Sequence, residues 1–252
     1  MGAPGFDDAP LVSLPQRAEP REITFVYPYY ENPQFLRYQL TRWAQLEQSL
    51  RDQLSVMIVD DGSPVFPAEE VLRHFEGLDR LELRLFRIGV DVRWNWLAAR
   101  NIGVYHTRGW CLLTDMDHVV PEQTLRAVMY GKLRPDVIYR FSRREASGES
   151  IHPHPNSMLM TATAFWEVGG YDEALSGHYG TDGDWRRRCA AKFRVHTLPC
   201  QLERHEYEGD SSTTAYKRKQ PEDAGKKAII ATRGAGWRPK VLSFPYSEIS
   251  LA

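Results

Sequence analysis

Short apolar segments alternate with segments of helical periodicity up to about residue 121, and this alternation constrains the fold more than any other feature. The apolar segments are residues 23–27, 54–59, 81–86 and 110–113. Between the first two, Leu36, Leu40 and Trp43 recur at the spacing of one helix face. Strands that alternate with helices favour a mostly parallel sheet covered by helices on both faces. The alternation weakens after residue 121, which predicts a less regular second half.

Three of the four apolar segments run directly into polar residues. These polar groups are residues 29–31, 60–63 and 114–118. In an open parallel sheet, ligands bind in the crevice outside the carboxyl ends of the strands. The sequence therefore predicts a binding site built from these three strand ends.

Composition excludes several other classes of protein. No stretch approaches the roughly 20 apolar residues of a membrane helix. The first 22 residues lack the basic and apolar regions of a secretory signal, so none is expected. The three cysteines, Cys111, Cys189 and Cys200, have no CxxC spacing, which argues against a disulfide scaffold and a structural zinc site. A reducing compartment fits best, so we expect a cytoplasmic protein.

The net charge of −1 identifies no partner, but the charge is unevenly distributed. Residues 186–240 hold 14 Lys and Arg against 6 Asp and Glu. Such a basic region attracts ligands that carry phosphate, although a solvated basic face produces the same pattern.

The Asp115-Met116-Asp117 triplet follows the strand at residues 110–113. Two carboxylates at this spacing can converge on one hard cation and leave positions for phosphate oxygens. Without a cation, a buried pair would repel. Two solvated aspartates of an ordinary turn are the alternative interpretation.

Two further groups follow in the second half of the chain. Asp182 and Asp184 lie in a glycine-rich segment and offer a general base, although Asp184 also suits the negative charge of a helix N-terminus. His205 could add a neutral imidazole to a carboxylate site, which would suit Mn²⁺. A lone histidine is more often structural.

In this order, the motifs resemble GT-A glycosyltransferases of family 2. The matching segments are residues 26–32, 59–63, 99–103 and 114–117, with residues 165–172 and 180–184 similar to the acceptor half of galactosyltransferase-like members. The resemblance implies a Rossmann-like α/β fold, with a mostly parallel central sheet flanked by helices and an irregular acceptor-side half. We expect an extended arm over 1–21 and a catalytic domain over 22–207, divided into a nucleotide-binding half (22–121) and an acceptor half (122–207). Residues 208–252 would form a lid and a C-terminal extension packed on the same domain.

The resemblance also implies roles for individual residues. The nucleotide would be bound by Pro28 and Tyr30 around the base and by Asp60 or Asp61 at the base or ribose. Glu31, Arg100 and Asp115 would also contact the nucleotide. Mn²⁺ or Mg²⁺ would be held by Asp115, Asp117 and His205. Asp182 matches the family's catalytic base. Thr181 and Gly183 stand where the family usually has acids, which leaves Asp184 open as the alternative base.

The resemblance thus implies a metal-dependent inverting glycosyltransferase of hexosyltransferase type that uses a nucleotide sugar, with a UDP-sugar favoured. The acceptor would be a glycan, a protein or modified DNA. Residues 115–119 also fit the nucleophile motif of haloacid-dehalogenase-type phosphatases, but that motif normally lies near the start of a chain and would leave Asp60, Asp61 and Arg100 unexplained. A non-catalytic module that binds nucleotide sugars is the remaining alternative. The polar stretch 206–219 is expected to close over the diphosphate, with Lys217, Arg218 or Lys219 supplying positive charge.

Overall fold

The computed structural model describes residues 17–205 and 224–251. The predicted lid at 206–219 lies outside these residues, as does the predicted arm except for its last five residues. Those five pack beside the end of a helix: the backbone amide of Arg21 donates to the carbonyl of Met129, and its guanidinium donates to that of Gly131.

The first half forms the parallel sheet that the sequence predicts. Its strands are β1 (Ile23–Tyr29), β2 (Leu54–Asp60), β3 (Glu82–Ile88) and β4 (Trp110–Leu113). The helices between them are α1 (Pro33–Ala44), α2 (Gln48–Arg51), α3 (Ala68–Arg73) and α4 (Trp96–Tyr105). The strands lie in the order β3-β2-β1-β4, so the carboxyl ends of β1, β2 and β4 are neighbours.

The second half extends this sheet with strands of mixed direction. Its strands are β5 (His118–Val119), β6 (Val137–Glu145), β7 (Ser150–Ile151), β8 (Met158–Thr161), β9 (Arg194–Arg204) and β10 (Tyr246–Ile249). Its helices are α5 (Glu122–Tyr130), α6 (Ala162–Val168), α7 (Asp182–Lys192) and α8 (Ala224–Ala231), with a 3₁₀ turn at Glu173–Leu175.

Within the described residues, one sheet contains all ten strands in the order β10-β3-β2-β1-β4-β8-β6-β9-β5, and β7 pairs with β6. Strand β8 is antiparallel to both β4 and β6, which explains why the alternation of strand and helix is lost in this region. The expected fold class, a mostly parallel central sheet flanked by helices, is confirmed.

Strand β9 is not predicted from the sequence. Its first four residues, Arg194–Thr197, are exposed, and Pro199 interrupts its apolar pattern. The register against β6 shifts after Phe141, so that its neighbour Ser142 pairs with Gln201 while Pro199 falls inside the irregularity. A proline is tolerated in a strand at such a bulge, because no ladder hydrogen bond is required of it there.

Alternate side chains of β1 supply two apolar layers. Phe25 and Tyr27 pack with α1, α3 and α5 on one face, whereas Val26 packs with α4, α6 and α7 on the other. Helix α4 lies close to β1, because a Cβ at Gly103 would be only 2.4 Å from Cγ1 of Val26. Among the described residues, no helix is long and apolar enough to cross a membrane.

Candidate functional site

The two aspartates at the end of β2 have different environments. Asp60 is buried, and its carboxylate oxygens accept hydrogen bonds from the backbone amides of Ser63 and Ala68, both at 2.8 Å. Asp61 is also buried, but its Oδ1 has no hydrogen-bond partner in the described part of the chain. Burial, together with the nearby charge of Asp60, raises the pKa of Asp61 well above its usual range. Asp60 therefore shapes the turn into α3, whereas Asp61 lies beside Asn95 with one carboxylate oxygen that has no hydrogen bond among the described residues.

The residues after β1 lie beside Asp61, whose backbone amide donates to the carbonyl of Tyr29. Tyr30 is exposed, and its hydroxyl donates to Asp91 at 3.1 Å. The Glu31 carboxylate accepts from the backbone amides of Val65 and Phe66 at 2.8 and 3.2 Å. It thus braces the loop after β2, and Tyr30 remains exposed beside this loop.

Pro28 is the third of the expected base-pocket residues. It lies within β1, paired in register with Val59 of β2, and is partly exposed. Pro28 is therefore the last residue but one of β1, and Tyr30 is the first residue after the strand.

Arg100 is completely buried in α4 and reaches the site through Asp115. Its guanidinium donates to the Asn156 carbonyl at 2.8 Å, to the Tyr171 hydroxyl at 3.1 Å and to Oδ1 of Asp115. Burial lowers the pKa of Arg100, but the negative charge of Asp115 and the contact with Tyr171 outweigh it, so the net shift is upward. In this structure Arg100 orients Asp115 and has no exposed surface to offer a nucleotide.

Asp117 forms the start of a hydrogen-bonded chain. Its Oδ1 accepts from Nδ1 of His118 at 2.6 Å, and Nε2 of His118 accepts from Arg143 at 3.2 Å. A guanidinium can only donate, so Nε2 accepts from Arg143 while Nδ1 faces the carboxylate of Asp117. Burial raises the pKa of Asp117, but the interaction with His118 more than offsets this, so the pKa lies below its usual range. Oδ2 of Asp117 lies 4.0 Å from Nε of Arg204.

His154 joins Asp115 to this chain. Its ring stacks on His118 with centroids 4.1 Å apart, and its Nε2 lies 3.3 Å from Oδ2 of Asp115. Its Nδ1 lies 2.9 Å from the hydroxyl of Ser157. Burial, above all, holds the pKa of His154 well below its usual range, so the ring is neutral at physiological pH. No role is predicted for His118 or His154 from the sequence; His118 belongs to the polar group 114–118, and His154 lies in a polar stretch after residue 141.

The pairing of β5 with β9 brings His205 next to Asp117. The backbone amide of His205 donates to the Asp117 carbonyl at 2.8 Å, and its Nε2 lies 3.0 Å from the Tyr38 hydroxyl. Burial lowers the pKa of His205, which favours the neutral, metal-binding form.

The three expected metal ligands fit a divalent ion by donor type, since carboxylate oxygens and a neutral imidazole suit Mn²⁺. Across residues 17–205 and 224–251, no three His, Cys, Asp or Glu side chains are gathered closely enough to hold an ion. The backbone therefore places Asp117 and His205 side by side, while their side chains contact other protein groups.

The two aspartates at the start of α7 also differ in environment, as Asp60 and Asp61 do. Asp182 is partly exposed, with Oδ2 at 3.0 Å from Arg186. Asp184 is buried and paired with Arg188 at 3.1 Å and Arg233 at 2.5 Å. Burial raises the pKa of Asp184, but the two arginines outweigh it, and the pKa lies below its usual range. Asp184 is thus held in a structural ion pair, and Asp182 is the accessible carboxylate.

No protein-family model matches the chain, and no curated protein matches its sequence. Several solved structures match its fold. The structure of residues 1–349 of S. aureus TarS in complex with UDP-GlcNAc has a TM-score of 0.59 and 12% identity, and the match covers 76% of this chain and 61% of that one. The mannosyltransferase PcManGT from Pyrobaculum calidifontis, in complex with GDP-Man and Mn²⁺, has a TM-score of 0.60 and 18% identity, with 83% and 63% covered. The chain therefore spans less than two thirds of the length of these proteins, and at these identities the likeness concerns the fold.

Proposed function

Because the chain has a GT-A-type glycosyltransferase fold, we propose that it is a metal-dependent inverting glycosyltransferase that moves a hexose from a nucleotide sugar. The observation that carries this proposal is the placement of Asp115 and Asp117 directly after β4, beside the ends of β1 and β2. Arg100 and His118 hold these two carboxylates in fixed orientations. The nucleotide sugars bound by TarS and PcManGT support the class of donor.

We assign recognition of the base to Asp61 and Tyr30. The buried Oδ1 of Asp61 can accept an N–H of the base, and the exposed ring of Tyr30 can pack on its face. Satisfying a buried acceptor that is otherwise unpaired gives a ligand both affinity and specificity. A UDP-sugar is the favoured donor.

Asp117, Asp115 and His205 are the residues that would hold Mn²⁺ or Mg²⁺. When bound, the ion neutralises the negative charge that develops on the departing diphosphate. The lowered pKa of Asp117 keeps its carboxylate ionised at neutral pH, as a metal ligand must be. Arg100 and His154 orient Asp115 from the protein side.

Asp182 is the proposed base. As the acceptor oxygen bonds to the anomeric carbon, the bond from that carbon to the diphosphate oxygen breaks, and the hydroxyl proton passes to the Asp182 carboxylate. The electron pair of the broken bond leaves with the diphosphate. Arg186 holds the carboxylate in place, and Asp184 stabilises the start of α7.

Calorimetry of UDP and GDP, with Mn²⁺ and with EDTA, tests the donor and the metal. We expect binding that requires the ion, and a larger loss for Asp117→Asn than for Asp115→Asn. Equal affinity in EDTA would exclude the metal, and failure of wild-type protein to bind either nucleotide would exclude the function. Hydrolysis of an aryl phosphate would instead favour the phosphatase alternative.

Turnover of the donor tests the base. Loss of general-base catalysis typically costs about 10²–10⁴-fold, so Asp182→Asn should lose that much while its nucleotide affinity stays unchanged. Asp184→Asn is the matched comparison, and it should lower stability more than turnover. A product with retained anomeric configuration would contradict the single displacement.

The three free cysteines are all buried, and we infer the cytoplasm as the location from their number and spacing.

A further inference from the structure

A groove of about 490 Å³ lies between α7 and α8 and begins at the segment that carries Asp182. Its walls include Gly180 and Thr181 before the proposed base, the first turns of α7, and Lys226 and Ile230 of α8. Asp182 does not itself line the groove, but its neighbours Thr181 and Gly183 do, so an acceptor whose hydroxyl reaches Asp182 has this groove beside it. The residues that line the groove therefore influence which acceptors can bind.

Three cations among the described residues line the groove. Arg186 holds Asp182 at 3.0 Å. Arg187 is 73% exposed and lies 3.8 Å from an oxygen of Asp184 that Arg233 already binds more closely. Lys226 donates to the carbonyls of Tyr179 and Gly180 at 2.8 and 3.1 Å, which fixes its ammonium at the end of the groove.

A fourth cation, Arg140 of β6, lies within electrostatic reach of Arg186. Its side chain is partly buried, and its guanidinium has no hydrogen-bond or ion-pair partner in the described part of the chain; its Nε is fully buried. Burial, and then the positive charge of Arg186, lower the pKa of Arg140. A partly buried cation beside a second cation costs free energy unless an anion binds there.

From these contacts we infer that the acceptor carries an anionic group, a phosphate or a carboxylate, next to the hydroxyl that reacts. Arg186, Arg187 and Lys226, which line the groove, bind this group, and Arg140 adds positive charge beside Arg186. The inference rests on the proposed function, because it takes Asp182 as the point that the hydroxyl must reach. The planar fork of a guanidinium matches the oxygen geometry of both phosphate and carboxylate.

Within the described residues, the groove lacks the aromatic side chains on which the bases of a nucleic acid would stack, so we take a glycan as the acceptor. Proteins that bind single-stranded nucleic acid stack the bases on aromatic side chains. The side chains that line the groove in the described residues include no aromatic ring, and its apolar members are Ala190 and Ile230.

Binding of defined probes to the full chain tests the inference. The probes are neutral maltotetraose, maltotetraose bearing one phosphate, tetragalacturonate and a short oligo-dT strand. We expect the two anionic glycans to bind more tightly than maltotetraose, with affinity that falls as salt is added. Arg140→Gln, and Arg187→Gln combined with Lys226→Gln, should each weaken anionic binding by about tenfold or more.

Lys227→Gln is the matched control, since Lys227 neighbours Lys226 on α8, is exposed and does not line the groove. It should leave anionic binding unchanged. Arg140→Gln should not lower the melting temperature, because it removes a cation that has no protein partner among the described residues. Weaker anionic binding in a variant of undiminished stability therefore reports on the ligand site.

Several results would overturn the inference. The first is that neutral and anionic glycans bind with equal affinity, or that neither anionic glycan binds at millimolar concentration. The second is that oligo-dT binds most tightly. The third is that both variants bind the anionic glycans as the wild type does. Weaker UDP binding in Arg140→Gln would also overturn it, since the cations would then belong to the donor site. If the wild-type protein binds no nucleotide, the proposed function itself is overturned, regardless of the glycan affinities.

Discussion

Replacement of Arg233 by glutamine should loosen the attachment of α7 to the segment that follows α8. Arg233 binds Asp184 at 2.5 Å and Asp172 at 2.6 Å, and its guanidinium lies 3.9 Å from the ring of Trp237. The side chain of Asp172 is completely buried, and that of Asp184 is 9% exposed. Because both acceptors lie inside the protein, these contacts are stronger than an ion pair on the surface, which contributes about 0–1 kcal/mol.

The expected cost follows from which partners remain. Removing one member of a buried ion pair costs about 3–5 kcal/mol, because the other charge is left uncompensated. In Arg233→Gln, Asp184 keeps Arg188, and Asp172 keeps the backbone amides of Ala174 and Lys240. We therefore expect the free energy of unfolding to fall by about 2–3 kcal/mol at pH 7, which lowers the melting temperature of a chain of this size by about 5–10 °C.

The pH dependence gives the prediction a second, independent readout. The folded-state pKa of Asp184 lies below its usual value, so the stability it contributes is present above the unfolded pKa and is lost as pH falls through the folded pKa. The difference between wild type and Arg233→Gln should therefore be largest near neutral pH and shrink below about pH 4.

Urea unfolding followed by circular dichroism, at pH 7 and in acid, measures both quantities. Arg238→Gln is the matched control, because Arg238 is exposed and its guanidinium donates only to the Trp237 carbonyl among the described residues. The reasoning is refuted if Arg233→Gln is as stable as this control at pH 7, or if its deficit persists undiminished in acid.

Three further substitutions test other parts of the site. The pKa of Asp61 is raised in the folded protein, so its charged form lowers the stability as pH rises. Asp61→Asn should therefore raise the melting temperature at neutral pH. Calorimetry should show weaker nucleotide binding in the same variant. Gly62→Ala should lower the free energy of unfolding by about 2 kcal/mol or more, since φ is +77° and the new Cβ would lie 2.4 Å from the Val90 carbonyl oxygen; Gly183→Ala, with nothing within 4 Å of its Cβ, is the control for urea unfolding. Arg100→Lys should cost about 3 kcal/mol in urea unfolding, because one ammonium cannot replace a buried guanidinium with three acceptors.

Much of the fold follows from local patterns. The parallel strands β1, β2 and β4 were predicted because each is a short apolar run, and their polar ends were predicted to meet because parallel strands share an edge. Strand β9 was missed, since its first residues are exposed and polar and Pro199 interrupts its period. Local periodicity indicates a strand only where one face is buried along its whole length.

The site was predictable as a set of residue types, and the roles within it were not. Asp60 and Asp61 are adjacent and chemically identical, and Asp182 and Asp184 are identical carboxylates separated by one glycine. Only the folded chain decides that backbone amides bind Asp60 and that Arg233, 49 residues away, binds Asp184. The partners of Asp60 are close to it in the chain, but a partner 49 residues away, as for Asp184, leaves no trace in local spacing. Burial and hydrogen bonding set what each carboxylate can do, and both depend on the folded chain.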